Sequence, residues 1–173
     1  MIEPTVLLDE AGVATAVEAL ADDAADWVDD DTVAVCLLTG GLWFAADLMR
    51  ALARRGRRPL FDALWVASYG DSEKSSGAVA VRAGLQRPAQ GRKVLIVDDV
   101  FDTGASLIES VAIVRAAGAG EVRTAVFARK PWPSDRGLVP DYVGWEAPAR
   151  YLVGYGMDAG GRMRGLPFVG AMD

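Results

Sequence analysis

VLIVDDVFDTGASL, residues 94–107, is the stretch on which the reading of the fold turns. Val94 to Val97 form a continuous, mostly β-branched apolar run, the pattern of a strand buried on both faces. Asp98 and Asp99 stand at its carboxyl end. A turn with Asp102, Thr103, Gly104, Ala105 and Ser106 follows, and then a helix begins. In an open α/β sheet, ligands bind at the carboxyl ends of the strands. A helix N-terminus offers unpaired N–H groups and the positive end of its dipole to an anion. Gly104 lets the backbone come close, and Thr103 and Ser106 add hydroxyl donors. Two carboxylates beside such a cradle suit vicinal hydroxyls or a divalent cation, so the segment asks for a phosphorylated sugar.

The flanking sequence supplies the rest of an α/β domain. Residues 13–28 carry apolar side chains at helical spacing, and TVAVCLL, 32–38, is a buried-strand pattern broken by Thr39-Gly40-Gly41. LWFAADLMRALARRG reads as a helix ending near Gly56. Residues 60–69 and 78–83 are strand candidates around the polar, Gly-bounded loop 70–77. KVLIVDD, 93–99, is a strand, 101–104 a turn, SLIESVAIVRAAGA a helix and 122–129 a further strand. This order predicts an α/β fold with a mainly parallel central sheet flanked by helices. After Pro131, Pro133 and Pro140 the chain turns irregular, with short strands within 141–156 and a Gly-rich tail that reads as a small appended unit. The expected organisation is one domain over 1–173, with a core of about 30–130 and a C-terminal hood region of about 131–173.

Composition narrows the chemistry. The 173 residues include no His and one Cys, and 18 basic against 24 acidic side chains give a net charge of −6. Without His there is no imidazole base and no HExxH zinc site. One Cys allows no internal disulfide and no thiolate cluster. Carboxylates, Lys, Arg, hydroxyls, backbone amides or a hard metal ion remain. The net acidity argues against a general nucleic-acid binder. The N-terminus lacks a signal-peptide pattern, and the longest uncharged stretch, Thr32 to Ala46, is shorter than the roughly 20 apolar residues of a membrane span. The expectation is a cytoplasmic protein with no nucleic-acid or membrane partner.

The Asp-Thr-Gly turn has other readings. It can simply cap a helix. The triplet also occurs at aspartic protease sites, but that reading needs a second Asp-bearing half or a dimer and leaves Asp98 and Asp99 unexplained. No GxxxxGK[ST] loop is present.

The whole segment resembles the 5-phosphoribosyl 1-pyrophosphate (PRPP) binding motif of type I phosphoribosyltransferases. The flanks resemble the hypoxanthine-guanine phosphoribosyltransferases. LLTGGLWFAADLMR, 37–50, is similar to that family's strand, pyrophosphate-binding turn and helix. SYGDSEKSSGAVAV, 68–81, is similar to its catalytic loop, PDYVGWEAPARYLVGYGMD, 140–158, to its base-binding region, and RMRGLPFVG, 162–170, to its C-terminal end. The resemblance runs in order from about Val33 to Gly170.

The resemblance implies transfer of the phosphoribosyl group from PRPP to a 6-oxopurine, giving IMP or GMP and pyrophosphate. It implies Asp98 and Asp99 at the ribose hydroxyls and the loop Asp102–Ser106 at the 5′-phosphate. Thr39 and Gly40 would lie at the pyrophosphate, with Arg164 as its cation and Arg162 as a nearby competitor. Asp102 would be the base for the imidazole-ring proton, a task a carboxylate performs when burial raises its pKa. Lys130 would donate to the 6-oxo group, Tyr151 would stack on the purine and Leu152 would present backbone groups to its edge. Asp158, with Asp98 and Asp99, would meet a magnesium ion. Ser68 and Tyr69 would open the loop that closes over the site. Taken alone, Lys130 reads equally as a surface charge, Tyr151 as core packing and Arg164 as a surface residue. Thr39 stands where the family often has Lys, and AGGR, 159–162, where it is usually more polar and aromatic. The resemblance also implies a homo-oligomer, dimer or tetramer. The helix face around Trp43 and Phe44 fits either a partner or the core. Other acceptors (xanthine, adenine, a pyrimidine) and a non-catalytic PRPP- or nucleotide-sensing regulator are the alternatives.

Overall fold

The computed structural model describes residues 3–68 and 79–172. In chain order the elements are β1 (Thr5–Leu8), α1 (Glu10–Ala25), β2 (Val33–Leu37), α2 (Leu42–Arg54), β3 (Leu60–Ser68), β4 (Val79–Ala83), β5 (Lys93–Phe101), α3 (Ala105–Ala116), β6 (Glu121–Arg129), β7 (Tyr142–Glu146), β8 (Tyr151–Val153) and β9 (Val169–Met172). Six strands form a sheet in the order β4-β3-β2-β5-β6-β7. All neighbours in it are parallel except the edge strand β4, which runs antiparallel to β3. A three-stranded antiparallel sheet, β1-β9-β8, joins the two ends of the chain.

The apolar runs form strands because both faces of the large sheet are covered. Cys36, Leu95, Val97 and Phe127 pack under α1 and α2, whereas Val33, Val35, Leu37, Val94 and Ile96 pack against α3. The alternation within β2 and β5 therefore divides one hydrophobic run between two cores. Phe44 is fully buried against Phe127 at 5.6 Å between ring centroids, which assigns it to the core; Trp43 is half-buried.

Several element boundaries differ from the sequence expectation. α1 begins at Glu10, not 13, because Asp9 caps it: its Oδ1 accepts the Gly12 N–H at 2.8 Å. It ends at Ala25, and Trp27 and Val28 fill the core from the turn beyond, with the Trp27 indole donating to Glu121 at 2.7 Å. β5 runs to Phe101 instead of Asp99 because β6 continues to pair with it through Arg129. The helix after it starts at Ala105. β1 and β9 were not anticipated as strands; β1 pairs with β9, and β9 pairs with β8 as well. Tyr69 and the predicted loop 70–77 lie outside the described residues.

Candidate active site

The carboxyl ends of β2, β5 and β6 open onto a cleft of about 520 Å³. Asp98 and Asp99 project into it from β5. The turn Asp102–Ser106 forms one wall, Lys130 enters from the end of β6, and Tyr151, Leu152 and Asp158 arrive from the small sheet and the turn after it. Gly40 and Arg164 also line it. Segments more than a hundred residues apart in the chain thus meet where the motif predicted a ligand.

The two helices that begin at this cleft lack side-chain caps. Gly41 stands at the N-cap of α2 and Gly104 at that of α3, where it takes the left-handed conformation at φ +87. α1, by contrast, is capped by Asp9. The Leu42 N–H donates to the Thr39 carbonyl at 3.3 Å and the Ala105 N–H to Thr103 Oγ1 at 3.4 Å, and the amides after them in the first turn of each helix face the N-terminal end, where an anion is favoured. Gly104 has a second constraint: a Cβ there would stand 2.9 Å from the Phe101 ring. Thr39 is exposed in the β2–α2 turn and does not line the cleft. The Leu38–Thr39 peptide is cis.

Gly40 separates two parts of the site. A Cβ on Gly40 would fall 2.1 Å from Asp99 Oδ2, and a Cβ on Gly156 would fall 2.1 Å from the Gly40 carbonyl oxygen. The Asp99 carboxylate, the β2–α2 turn and the β8 turn are consequently in close contact. Asp99 is only 8% exposed, and its Oδ1 accepts the Val100 N–H at 2.9 Å. Burial raises the Asp98 carboxyl well above its ordinary range, and the Asp99 charge raises it further. Burial also raises Asp99, opposed by hydrogen bonds and by the Arg164 charge. Burial, together with the field of this acid pair, pushes the nearby Cys36 thiol up to about 12. Among the described residues no group of three His, Cys, Asp or Glu side chains could hold a metal. A magnesium ion that keeps waters and substrate oxygens needs only one or two carboxylates, which this cleft offers.

The cations of the cleft are engaged. Lys130 Nζ is 2.7 Å from Asp102 Oδ2, and Arg164 Nη2 is 2.6 Å from Asp158 Oδ1. Arg164 also donates to the Gly156 carbonyl at 2.5 Å. Lys130 is therefore a cleft residue and not a surface charge. The competitor Arg162 is exposed and does not line the cleft. Asp102 departs from expectation: its side chain is 43% exposed and ion-paired, not buried. Tyr151 is not core packing either. The residue is 55% exposed at the cleft, and its hydroxyl donates to the Asp158 carbonyl at 3.0 Å. Leu152 behind it is buried. Ser68 ends β3, and Tyr69 lies outside the described residues. Sequence reasoning missed Phe101 and Met157, which also line the cleft. Phe101 was legible only as an apolar residue between the acid pair and Asp102, and Met157 only as the neighbour of Asp158.

The phosphoribosyl transferase domain family matches residues 9–158. The hypoxanthine-guanine phosphoribosyltransferase of Bacillus subtilis is 32% identical over 168 residues, covering 96% of this chain and 92% of that protein. The protein of the same name from Mycobacterium avium is 37% identical over 153 residues, covering 87% and 73%. The crystal structure of a hypoxanthine-guanine phosphoribosyltransferase from Bacillus anthracis superposes with a TM-score of 0.87 at 26% identity, over 99% of this chain and all of that one.

Proposed function

Since the chain belongs to the phosphoribosyl transferase family, among the hypoxanthine-guanine phosphoribosyltransferases, we propose that it transfers the 5-phosphoribosyl group of PRPP to a ring nitrogen of hypoxanthine or guanine. The products are IMP or GMP and pyrophosphate, and the role is purine salvage. The observation that carries this reading is the convergence of the acid pair, the phosphate turn, Lys130 and Tyr151 in one cleft.

In this assignment the uncapped start of α3 and the turn from Asp102 to Ser106 hold the 5′-phosphate, and Asp98 and Asp99 accept from the ribose hydroxyls. Thr39 and Gly40 present backbone amides to pyrophosphate, assisted by Arg164. The purine lies against the exposed face of Tyr151, where offset stacking adds roughly 0.5–1.5 kcal/mol beyond burial. Leu152 supplies backbone groups to its edge. Lys130 donates to the 6-oxo group, and Asp102 takes the imidazole-ring proton at its carboxylate oxygen. Both roles require the Lys130–Asp102 pair to open as the base enters. Asp158, with Asp98 and Asp99, would hold magnesium, which when bound neutralises charge on the pyrophosphate. Ser68 and Tyr69 would begin the covering loop, and the small sheet with its turns would act as the base-binding hood of a single domain. The protein would work in the cytoplasm as a homo-oligomer, without nucleic-acid or membrane partners; among the described residues no helix is long and apolar enough to cross a membrane.

The test is a base panel of hypoxanthine, guanine, xanthine, adenine and pyrimidines with magnesium and PRPP, read by nucleotide and pyrophosphate formation. Turnover of hypoxanthine or guanine is expected. Folded protein that binds PRPP yet converts neither base would overturn the reading, and turnover of another base alone would move it to that acceptor.

A further inference from the structure

The segment between β6 and β7 carries a residue that no motif singled out. Arg136 lays its guanidinium 4.4 Å from the centroid of the Phe101 ring and 5.4 Å from that of Trp132. Its Nη2 donates to the Lys130 carbonyl at 2.5 Å. Its Nε is buried and finds no acceptor among the described residues. Leaving that N–H unpaired has a cost, and stacking of the flat guanidinium on two aromatic rings offsets it. The arrangement fixes more than a loop. Lys130 also donates its own N–H to the Phe101 carbonyl at 3.1 Å, so both backbone polar groups of Lys130 are tied down. The Phe101 ring, in turn, lies directly under Gly104 of the phosphate turn.

We infer that Arg136 is a positioning residue that clamps the base-reading Lys130 to the wall carrying the phosphate turn, and so sets how well a 6-oxopurine is held. The inference rests on the function proposed above. Arg136 reaches the base only through Lys130. With both backbone groups pinned, the Lys130 side chain swings from a fixed origin between Asp102 and the purine. Remove the guanidinium and the carbonyl of Lys130 loses its donor while Phe101 loses the cover on one face. Phe101 keeps its place under Gly104, so the phosphate subsite suffers less than the base subsite. A residue that only stabilised the fold would disturb both subsites alike.

The experiment compares steady-state kinetics of the wild type, Arg136→Ala and Arg136→Lys with hypoxanthine, guanine and adenine, with melting temperature as the control for folding. For Arg136→Ala the KM for the 6-oxopurine should rise on the order of tenfold, the scale of one lost charge-assisted hydrogen bond. The KM for PRPP should change less than about threefold, and preference for 6-oxo over 6-amino bases should fall. Arg136→Lys keeps the charge without the planar fork and should recover part of the loss. If the alanine variant does not fold, the lysine variant carries the same test, with a smaller rise confined to the purine KM. Equal changes in both KM values, or none, in an enzyme that uses 6-oxopurines would overturn this inference alone. A wild type inactive on every base would overturn the proposed function and this inference with it.

Discussion

Substituting Gly40 by Ala tests the contact between the acid pair and the β2–α2 turn. Gly40 is not among the positive-φ residues, so its backbone accepts Ala and only space is at issue. The new Cβ would stand 2.1 Å from Asp99 Oδ2, 2.6 Å from its Cγ and 2.8 Å from its Oδ1. Restoring ordinary contact requires the carboxylate to retreat by about 1 Å, and close-packed interiors yield little without strain. Such overpacking costs about 1–3 kcal/mol. The retreat also breaks the 2.9 Å bond that Asp99 Oδ1 accepts from Val100, which adds roughly 1 kcal/mol or more. For a domain of this size each kcal/mol lowers the melting temperature by about 2–4 °C, so a fall of roughly 5–15 °C is expected. The KM for PRPP should rise as well. The assay is calorimetric melting of the wild type, Gly40→Ala, Asp99→Ala and the double variant. Once the Asp99 carboxylate is gone, Gly40→Ala should cost less than about 0.5 kcal/mol, because the atoms it meets first have been removed. A Gly40→Ala protein that melts with the wild type refutes the reasoning, as does a penalty that is the same with and without the carboxylate.

Asp102→Asn keeps the shape of the turn but removes the proton acceptor. It should lower kcat about 10²–10⁴-fold with little change in the KM for PRPP; initial rates decide, and a wild-type kcat removes Asp102 from proton transfer. Asp98→Asn probes the raised carboxyl. The folded protein holds a proton at Asp98 above the ordinary carboxyl value of 3.8, where the unfolded chain releases it. The stability this gives is complete below that value and is lost as pH rises through the raised one. The variant's melting temperature relative to wild type should therefore be higher at about pH 8 than at about pH 5, and a constant difference would refute the assignment. Thr39→Lys adds a cation at the exposed pyrophosphate turn. It should lower the KM for PRPP and make it more sensitive to salt; an unchanged KM at low ionic strength would mean that the turn amides and Arg164 suffice.

The central strands could be read from the chain because each is a long apolar run whose burial needs no special partner. The same holds for the acid pair and phosphate turn, which occupy consecutive positions. What could not be read depends on distant pairing. β1 is four residues long and exists because Thr5 and Val6 find Ala171 and Gly170 at the other end of the chain. Trp27 and Val28 keep the apolar spacing of α1, so nothing local marks that they leave the helix to fill the core. Arg136 looks like a charge in a proline-rich connection, and only the fold brings Phe101 and Trp132 to it. Asp102 reads as a base on condition of burial, whereas the fold leaves it 43% exposed and brings Lys130 to it from the end of β6.

That substitution of a partner for burial bears on how an acidic protein receives anionic substrates. Each of the two cations on the cleft stands against a carboxylate, Lys130 on Asp102 and Arg164 on Asp158. Lys130 is only 15% exposed, and Arg164 and Asp158 are under a third exposed, so neither is a surface pair, and each opens only as a substrate group takes the place of the lost partner. The cations do not drift when released. Arg164 remains bonded to the Gly156 carbonyl, and Lys130 is fixed at both backbone groups. The carboxylates therefore neutralise the cations without removing them from position. In the proposed reaction, the opening of each pair frees two groups at once: a cation for the purine oxygen or pyrophosphate, and a carboxylate for the ring proton or the metal. The positive charge the substrates need is local and already placed, which is why the net −6 of the chain does not oppose their binding.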